Sequence, residues 1–296
     1  MFLSTFFLTL VLICGSYGAI VRRQAPSTSF TRAKVGTVTA HEINEASGLG
    51  ASRKHPGFLY THNDHGGGPE IYVIDASSGN LQATLTLVGV TYNDYEDLTV
   101  GRCAPGNDVN TCIYIADVGD GGAGAVNNVY RIPEPDTLQD QTIQVSDQDK
   151  LEFTWNQIDC ETLMIGPDAN LYIISKVDDA QSTIAQLPYT AWGTNTRVDV
   201  TSTAMINIQS TKKDPVSGDI SFDGTEVLVK AKHAMFYWNA QDASVDYVVL
   251  LSNTPGVHVE YIDEPQGEAV CWDTTGQGYY TLSEGLSQPL YYYARN

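Results

Sequence analysis

The chain has 296 residues, enough for one large β domain or two ordinary ones, and its 42% hydrophobic content with 26 Gly and 17 Tyr suits strands and turns. A formal charge of −19 argues against nucleic acid, because phosphate binding needs a basic face. The same acidity fits a soluble extracellular protein with a solvated surface, or carboxylates gathered around cations.

The opening MFLSTFFLTLVLICGSYGA reads as a secretory signal peptide over 1–18, cut near Gly18 or Ala19, although its first residues lack Lys and Arg. Its apolar core is short for a membrane span, and no later segment qualifies. An N-terminal extension, 19–32, follows; Arg22-Arg23 within it is either a dibasic processing site or part of an unstructured basic stretch. No Asn-x-Ser/Thr sequon occurs.

From 33 onward alternation and β-branched or aromatic enrichment write one unit five times. First strands begin at SGLGA (Ser47), EDLTV (Glu96), ETLMI (Glu161), SGDIS (Ser217) and EAVCW (Glu268). Second strands are FLYTH, CIYIA, NLYII, EVLVK and GYYTL; third strands are EIYVI, NVYRI, TIAQL, MFYWN and LYYYA. A fourth follows in four units: LQATLTL, LEFTW, TAMINI and YVVLL. The fifth unit lacks a fourth strand, and a spare one, AKVGTVT at Ala33–Thr39, precedes the first. Pairing the spare strand with the last unit removes two exposed edges. The prediction is all-β: a single five-bladed β-propeller over 33–296, four antiparallel strands per blade, closed by the N-terminal strand. The alternative is a β-sandwich with similar strands.

With Cys14 lost in the leader, four cysteines remain, an even count that suggests disulfides in an exported chain. Cys103 and Cys112 bracket the turn-rich APGNDVNT and are expected to pair; Cys160 and Cys271 are a second pair or two buried thiols. No Cys/His spacing suggests zinc.

In a propeller the first strands line the central channel, so their starting residues form a ring: Ser47, Glu96, Glu161, Ser217 and Glu268. Three carboxylates converging in a confined space either take up protons or hold a cation. Oxygen-only ligands favour Ca2+ over zinc or a transition metal, with water completing the shell. The competing reading is that these acids face solvent or bond neighbouring backbone amides.

The phrases EASGL…LYTHNDHGG…EIYVID, YEDLTV and GEAVCWDTTGQGYYTLSEG resemble the blade motifs of the calcium-activated nucleotidases, or apyrases. The resemblance implies a secreted five-bladed propeller with one calcium ion held in the channel by first-strand Ser and Glu residues. The order at Ser47, Glu96, Glu161, Ser217 and Glu268 is similar to that family's order. The family's acidic, Arg-containing turn in the first blade stands here as HNDHGG, without Arg. EASGL…THND and NDYEDLTVG also resemble uncharacterised secreted bacterial propellers, some grouped with esterase-like phytases.

Turns after the second strands should gather at one channel mouth. They offer His62, Asn63, Asp64 and His65; Asp117 and Asp120; Lys176, Asp178 and Asp179; Lys230, Lys232 and His233; and Ser283 and Glu284. Asp64, Asp117, Lys176, Lys232 and Glu284 are the candidate catalytic residues, orienting a water and binding phosphate beside a channel metal. Lys176 and Lys232 stand out because only 16 basic residues exist and two occupy equivalent turns. His62 and His65 read as polar surface residues. Several acids sharing the channel also fit a carboxylate pair of the glycosidase kind. Two functions are expected: a calcium-dependent hydrolase of phosphoanhydrides or phosphoesters acting on a small phosphorylated substrate, or a non-catalytic propeller pinned by calcium that binds an extracellular protein or glycan through Tyr-rich faces.

Overall fold

The computed structural model describes residues 26–65, 67–119, 121–177, 181–208 and 214–296. The expected signal peptide over 1–18, Arg22-Arg23, Asp120, Asp178 and Asp179 lie outside the described residues.

Strand β1 (Phe30–Thr37) precedes a first blade of β2 (Ala46–Ala51), β3 (Phe58–Asn63), β4 (Glu70–Asp75) and β5 (Leu81–Val88). The second blade holds β6 (Tyr95–Arg102), β7 (Thr111–Asp117) and β8 (Val126–Pro133). Then β9 (Gln141–Gln144) returns to lie parallel to β5, and β10 (Lys150–Trp155) completes the second blade. The third blade has β11 (Cys160–Ile165), β12 (Leu171–Ser175) and β13 (Ile184–Leu187); β14 (Val198–Val200) crosses back to run parallel to β10. The fourth comprises β15 (Pro215–Ile220), β16 (Glu226–Ala231), β17 (Ala234–Asn239) and β18 (Val257–Val259), with helix α1 (Tyr247–Asn253) before β18. The fifth is β19 (Gly267–Trp272), β20 (Gly278–Ser283) and β21 (Pro289–Arg295), against which β1 pairs from Phe30↔Arg295 to Thr37↔Pro289. The molecule is a five-bladed β-propeller closed by its N-terminal strand.

Two fourth strands differ from expectation. YVVLL folds as α1 rather than a strand: the Asp246 side chain caps it, accepting from Val249 N at 3.0 Å, and Tyr247 and Leu251, four residues apart, share its buried side. The fourth strand of that blade is β18. TAMINI contributes only an isolated bridge, Thr183↔Met205, so the third blade has three strands while β9 and β14 extend the first two blades to five.

Strand periodicity explains why the inner three strands are nearly all buried. Alternate residues face opposite neighbouring blades. On β4, Ile71 and Val73 pack against the second blade, while Tyr72 and Ile74 pack against the fifth. Five such cores, one per pair of adjacent blades, run around the ring. Cys103–Cys112 is a disulfide; Cys160 and Cys271 are separate buried thiols. Among the described residues no helix is long and apolar enough to cross a membrane.

Candidate metal centre at the channel mouth

Each innermost strand opens with an irregular step at the same place. Pairing jumps from Ala46 to Leu49, Tyr95 to Asp97, Cys160 to Thr162, Pro215 to Ser217 and Gly267 to Ala269. The skipped residues are Ser47 with Gly48, Glu96, Glu161, Val216 and Glu268, and such a bulge re-aims the side chain it carries. Glu96, Glu161 and Glu268 therefore occupy matching positions, as expected. In the fourth blade the match is Val216, not Ser217, because the ladder pairs Pro215 with Ala231 and Ser217 with Lys230 and skips the residue between.

The two serines tie strands together across the channel. Ser47 Oγ donates to the Glu96 carbonyl at 2.6 Å. Ser217 Oγ donates to Asp97 Oδ1 at 3.1 Å and accepts from Val270 N at 3.3 Å. Asp97, fully buried one residue past the bulge, also accepts from Leu98 N (2.9 Å), Leu163 N (2.9 Å) and Gly218 N (3.4 Å). An innermost strand has backbone donors facing the channel with no ladder partner, and Asp97 satisfies donors from three blades. At the far end, Arg53 and Arg102 lie over the Phe222 ring at 5.0 and 4.3 Å, bringing together the first, second and fourth blades.

A second five-fold pattern defines the mouth. After each second strand a backbone N–H returns to the residue two before the bulge: Asp64 to Glu45 O (2.8 Å), Val118 to Asp94 O (3.0 Å), Lys176 to Asp159 O (3.1 Å), Lys232 to Asp214 O (3.1 Å) and Glu284 to Gln266 O (2.9 Å). Asp64, Lys176, Lys232 and Glu284 thus occupy equivalent turn positions. Asp117 does not: Val118 takes that place. Asp117 instead braces the preceding loop, its Oδ1 accepting from Asn93 N (3.0 Å) and Asp94 N (2.9 Å) and its Oδ2 from Thr91 Oγ1 (2.9 Å). Asn63 does the same in the first blade, taking Asn44 N and Glu45 N on its Oδ1, each at 3.1 Å.

The residues that sequence reasoning passed over are Glu45, Asp94 and Asp159, the acids two positions ahead of the bulge. With them the mouth carboxylates fall into three triads whose oxygens lie within 4.8 Å of one another: Glu45–Asp64–Glu284, Asp64–Asp94–Glu96 and Glu96–Asp159–Glu161. Glu268 belongs to none of them, and the Ser47 and Ser217 hydroxyls are engaged in the cross-strand bonds above. Gly119 makes the middle triad accessible, since a Cβ there would collide with the Glu96 and Asp94 carboxylates.

Crowding and burial leave these acids short of compensation. Burial first, then repulsion from Glu161 and Asp64, pushes Glu96 up to about 11. Burial and Asp94 raise Asp64 to about 7, with the two carboxyls in hydrogen-bond contact. Burial and the Glu268 carboxyl raise Glu284 to about 9. Lys176 Nζ is ion-paired to Glu161, whose side chain is 9% exposed. Burial opposes the charge on Lys176, but Glu161 outweighs it and holds the ammonium protonated beyond its usual range. Lys232 is half-buried on the same rim, with no carboxylate ion pair among the described residues.

His62 corrects the expectation of a surface residue. It is fully buried, pressed against Gly48 and Tyr95, and burial lowers it to about 4. Its Nδ1 donates to Asn63 O at 3.0 Å. His65 is exposed and reaches Asp94 Oδ1 at 3.5 Å, and His233 reaches Asp263 at the same distance. Lys230, also fully buried, donates to the Gly267 and Ala231 carbonyls beneath the fifth-blade bulge, and burial lowers it to about 8. Ser283 Oγ accepts from Gln266 N at 2.9 Å.

No protein-family model matches the chain, and no curated protein sequence matches it. Solved structures match it at 11% identity. The PQQ-bound aldose sugar dehydrogenase of Streptomyces coelicolor matches over 91% of this chain and 99% of its own, with a TM-score of 0.48. The hydrazine synthase of Kuenenia stuttgartiensis matches over 81% of this chain and 80% of its own, with a TM-score of 0.42.

Proposed function

We propose that this chain is a secreted, calcium-binding β-propeller whose channel mouth holds the ion on Asp64, Asp94 and Glu96. One observation carries the reading. Three carboxylates converge within 4.8 Å, and Glu96, only 5% exposed, receives no hydrogen bond on its carboxylate from any described residue. Buried carboxylates are normally paired, hydrogen-bonded or bound to a metal. An all-oxygen donor set suits a hard cation, and calcium tolerates such irregular geometry better than magnesium. Export is supported by the apolar leader and by the Cys103–Cys112 disulfide, a bond of oxidising compartments.

Lys232 favours a second reading, calcium-dependent hydrolysis of a phosphoanhydride or phosphoester. Lys176 is held by Glu161, which leaves Lys232 as the rim cation suited to a phosphate oxygen. The test is phosphate release from nucleoside di- and triphosphates and inositol phosphates, in calcium and in EGTA, beside calcium binding by calorimetry. Glu96→Gln should abolish binding at the Asp64–Asp94–Glu96 triad; Lys232→Ala should keep binding and abolish release. Binding without release leaves calcium as a structural pin in a non-catalytic propeller. Absence of calcium binding overturns both readings.

A further inference from the structure

We infer that the mouth is built for two divalent cations bridged by Asp64, one on Asp64–Asp94–Glu96 and a second on Glu45–Asp64–Glu284. The inference rests on the calcium reading and extends it from one ion to two. The triads share a single residue, and a carboxylate has two oxygens with which to serve two ions. Asp64 is fixed for that part by its backbone, whose N–H bonds the Glu45 carbonyl at 2.8 Å and draws Glu45 to its side.

An independent observation points to an ion in each triad. Glu96 is 5% exposed and its carboxylate receives no N–H or O–H donor from the described residues, while Glu284, 8% exposed, has only the Glu268 carboxyl as a hydrogen-bond partner. The neighbour of Glu284 is another acid, Glu268. Asp64 Oδ1 between them is likewise buried without a hydrogen-bond partner among the described residues. One cation does not serve all three, because no cluster of mutually close oxygens contains both Glu96 and Glu284.

The third triad, Glu96–Asp159–Glu161, is excluded by its own counter-ion. Lys176 Nζ sits on Glu161 and supplies the positive charge a metal would bring. The three triads therefore divide into two metal positions and one lysine position.

The test counts calcium bound to the purified, metal-stripped protein by equilibrium dialysis with atomic spectrometry, beside calorimetric titration with calcium chloride. Two ions per chain are expected, one in Glu45→Gln, one in Asp94→Asn and none in Asp64→Asn. The wild-type count decides without relying on any variant's folding. Two ions falling to one in Glu45→Gln supports the bridge. A wild-type count of one, or a count unchanged in Glu45→Gln, overturns it while leaving the calcium reading intact. A count of zero overturns the calcium reading as well.

Discussion

Lys176→Met separates a lysine that neutralises the channel from one that merely lies beside it. The substitution keeps most of the stem's bulk and removes the charge. Lys176 and Glu161 have side-chain exposures of 22% and 9%, so the pair is largely desolvated. Removing one partner of a buried pair costs about 3–5 kcal/mol, because the other is left uncompensated. The residual exposure of Lys176 places this case near the lower end, and at roughly 2–4 °C per kcal/mol the melting temperature should fall by about 6–12 °C. Differential scanning calorimetry in chelator reads this directly, with Lys232→Met as the control on the same rim, expected within about 0.5 kcal/mol of wild type. The loss should shrink at acid pH, where Glu161 takes up a proton in place of the missing charge. Glu161→Gln added to Lys176→Met should recover most of the loss. Calcium should recover it too, by entering the vacated Glu96–Asp159–Glu161 triad. An unchanged melting temperature for Lys176→Met in chelator would refute the argument that this lysine is the built-in cation.

Two further outcomes follow from the channel. Asp97→Ala leaves donors from three blades without an acceptor, and should cost about 3–5 kcal/mol in urea unfolding; a loss under about 1 kcal/mol would show that the ring closes without it. His62 is held neutral in the folded state, at about 4 against 6.5, so its contribution is fully present above pH 6.5 and drains away as pH falls towards 4. Over that window wild type should lose roughly 3 kcal/mol relative to His62→Gln; parallel pH–stability curves for the two proteins would contradict it.

How far the sequence reaches is shown by the bulges. The repeat, the second and third strands and the closing N-terminal strand follow from period-two patterning, which reports burial on both strand faces. Glu96, Glu161 and Glu268 are legible for the same reason. Ser217 is not their equivalent, because a bulge adds a residue without altering the alternation on either side, and only pairing shows which residue the ladder skips. The acids at Glu45, Asp94 and Asp159 do carry a signal, two positions ahead of each ring residue, but it lies in loops where acidic residues are common.

The helix at Tyr247–Asn253 has an apolar run that suits either period, and its cap at Asp246 decides between them. The pairing of Lys176 with Glu161 was beyond the sequence altogether, since the two turns carrying Lys176 and Lys232 read alike until the backbone places one beside a buried acid. What the sequence determined by itself is a propeller with a crowded, acidic mouth, because composition and periodicity are properties of the chain. Which acids share a cation, which take a lysine and which hold loops was decided by tertiary structure alone, because those choices depend on distances of a few ångströms between residues from different blades.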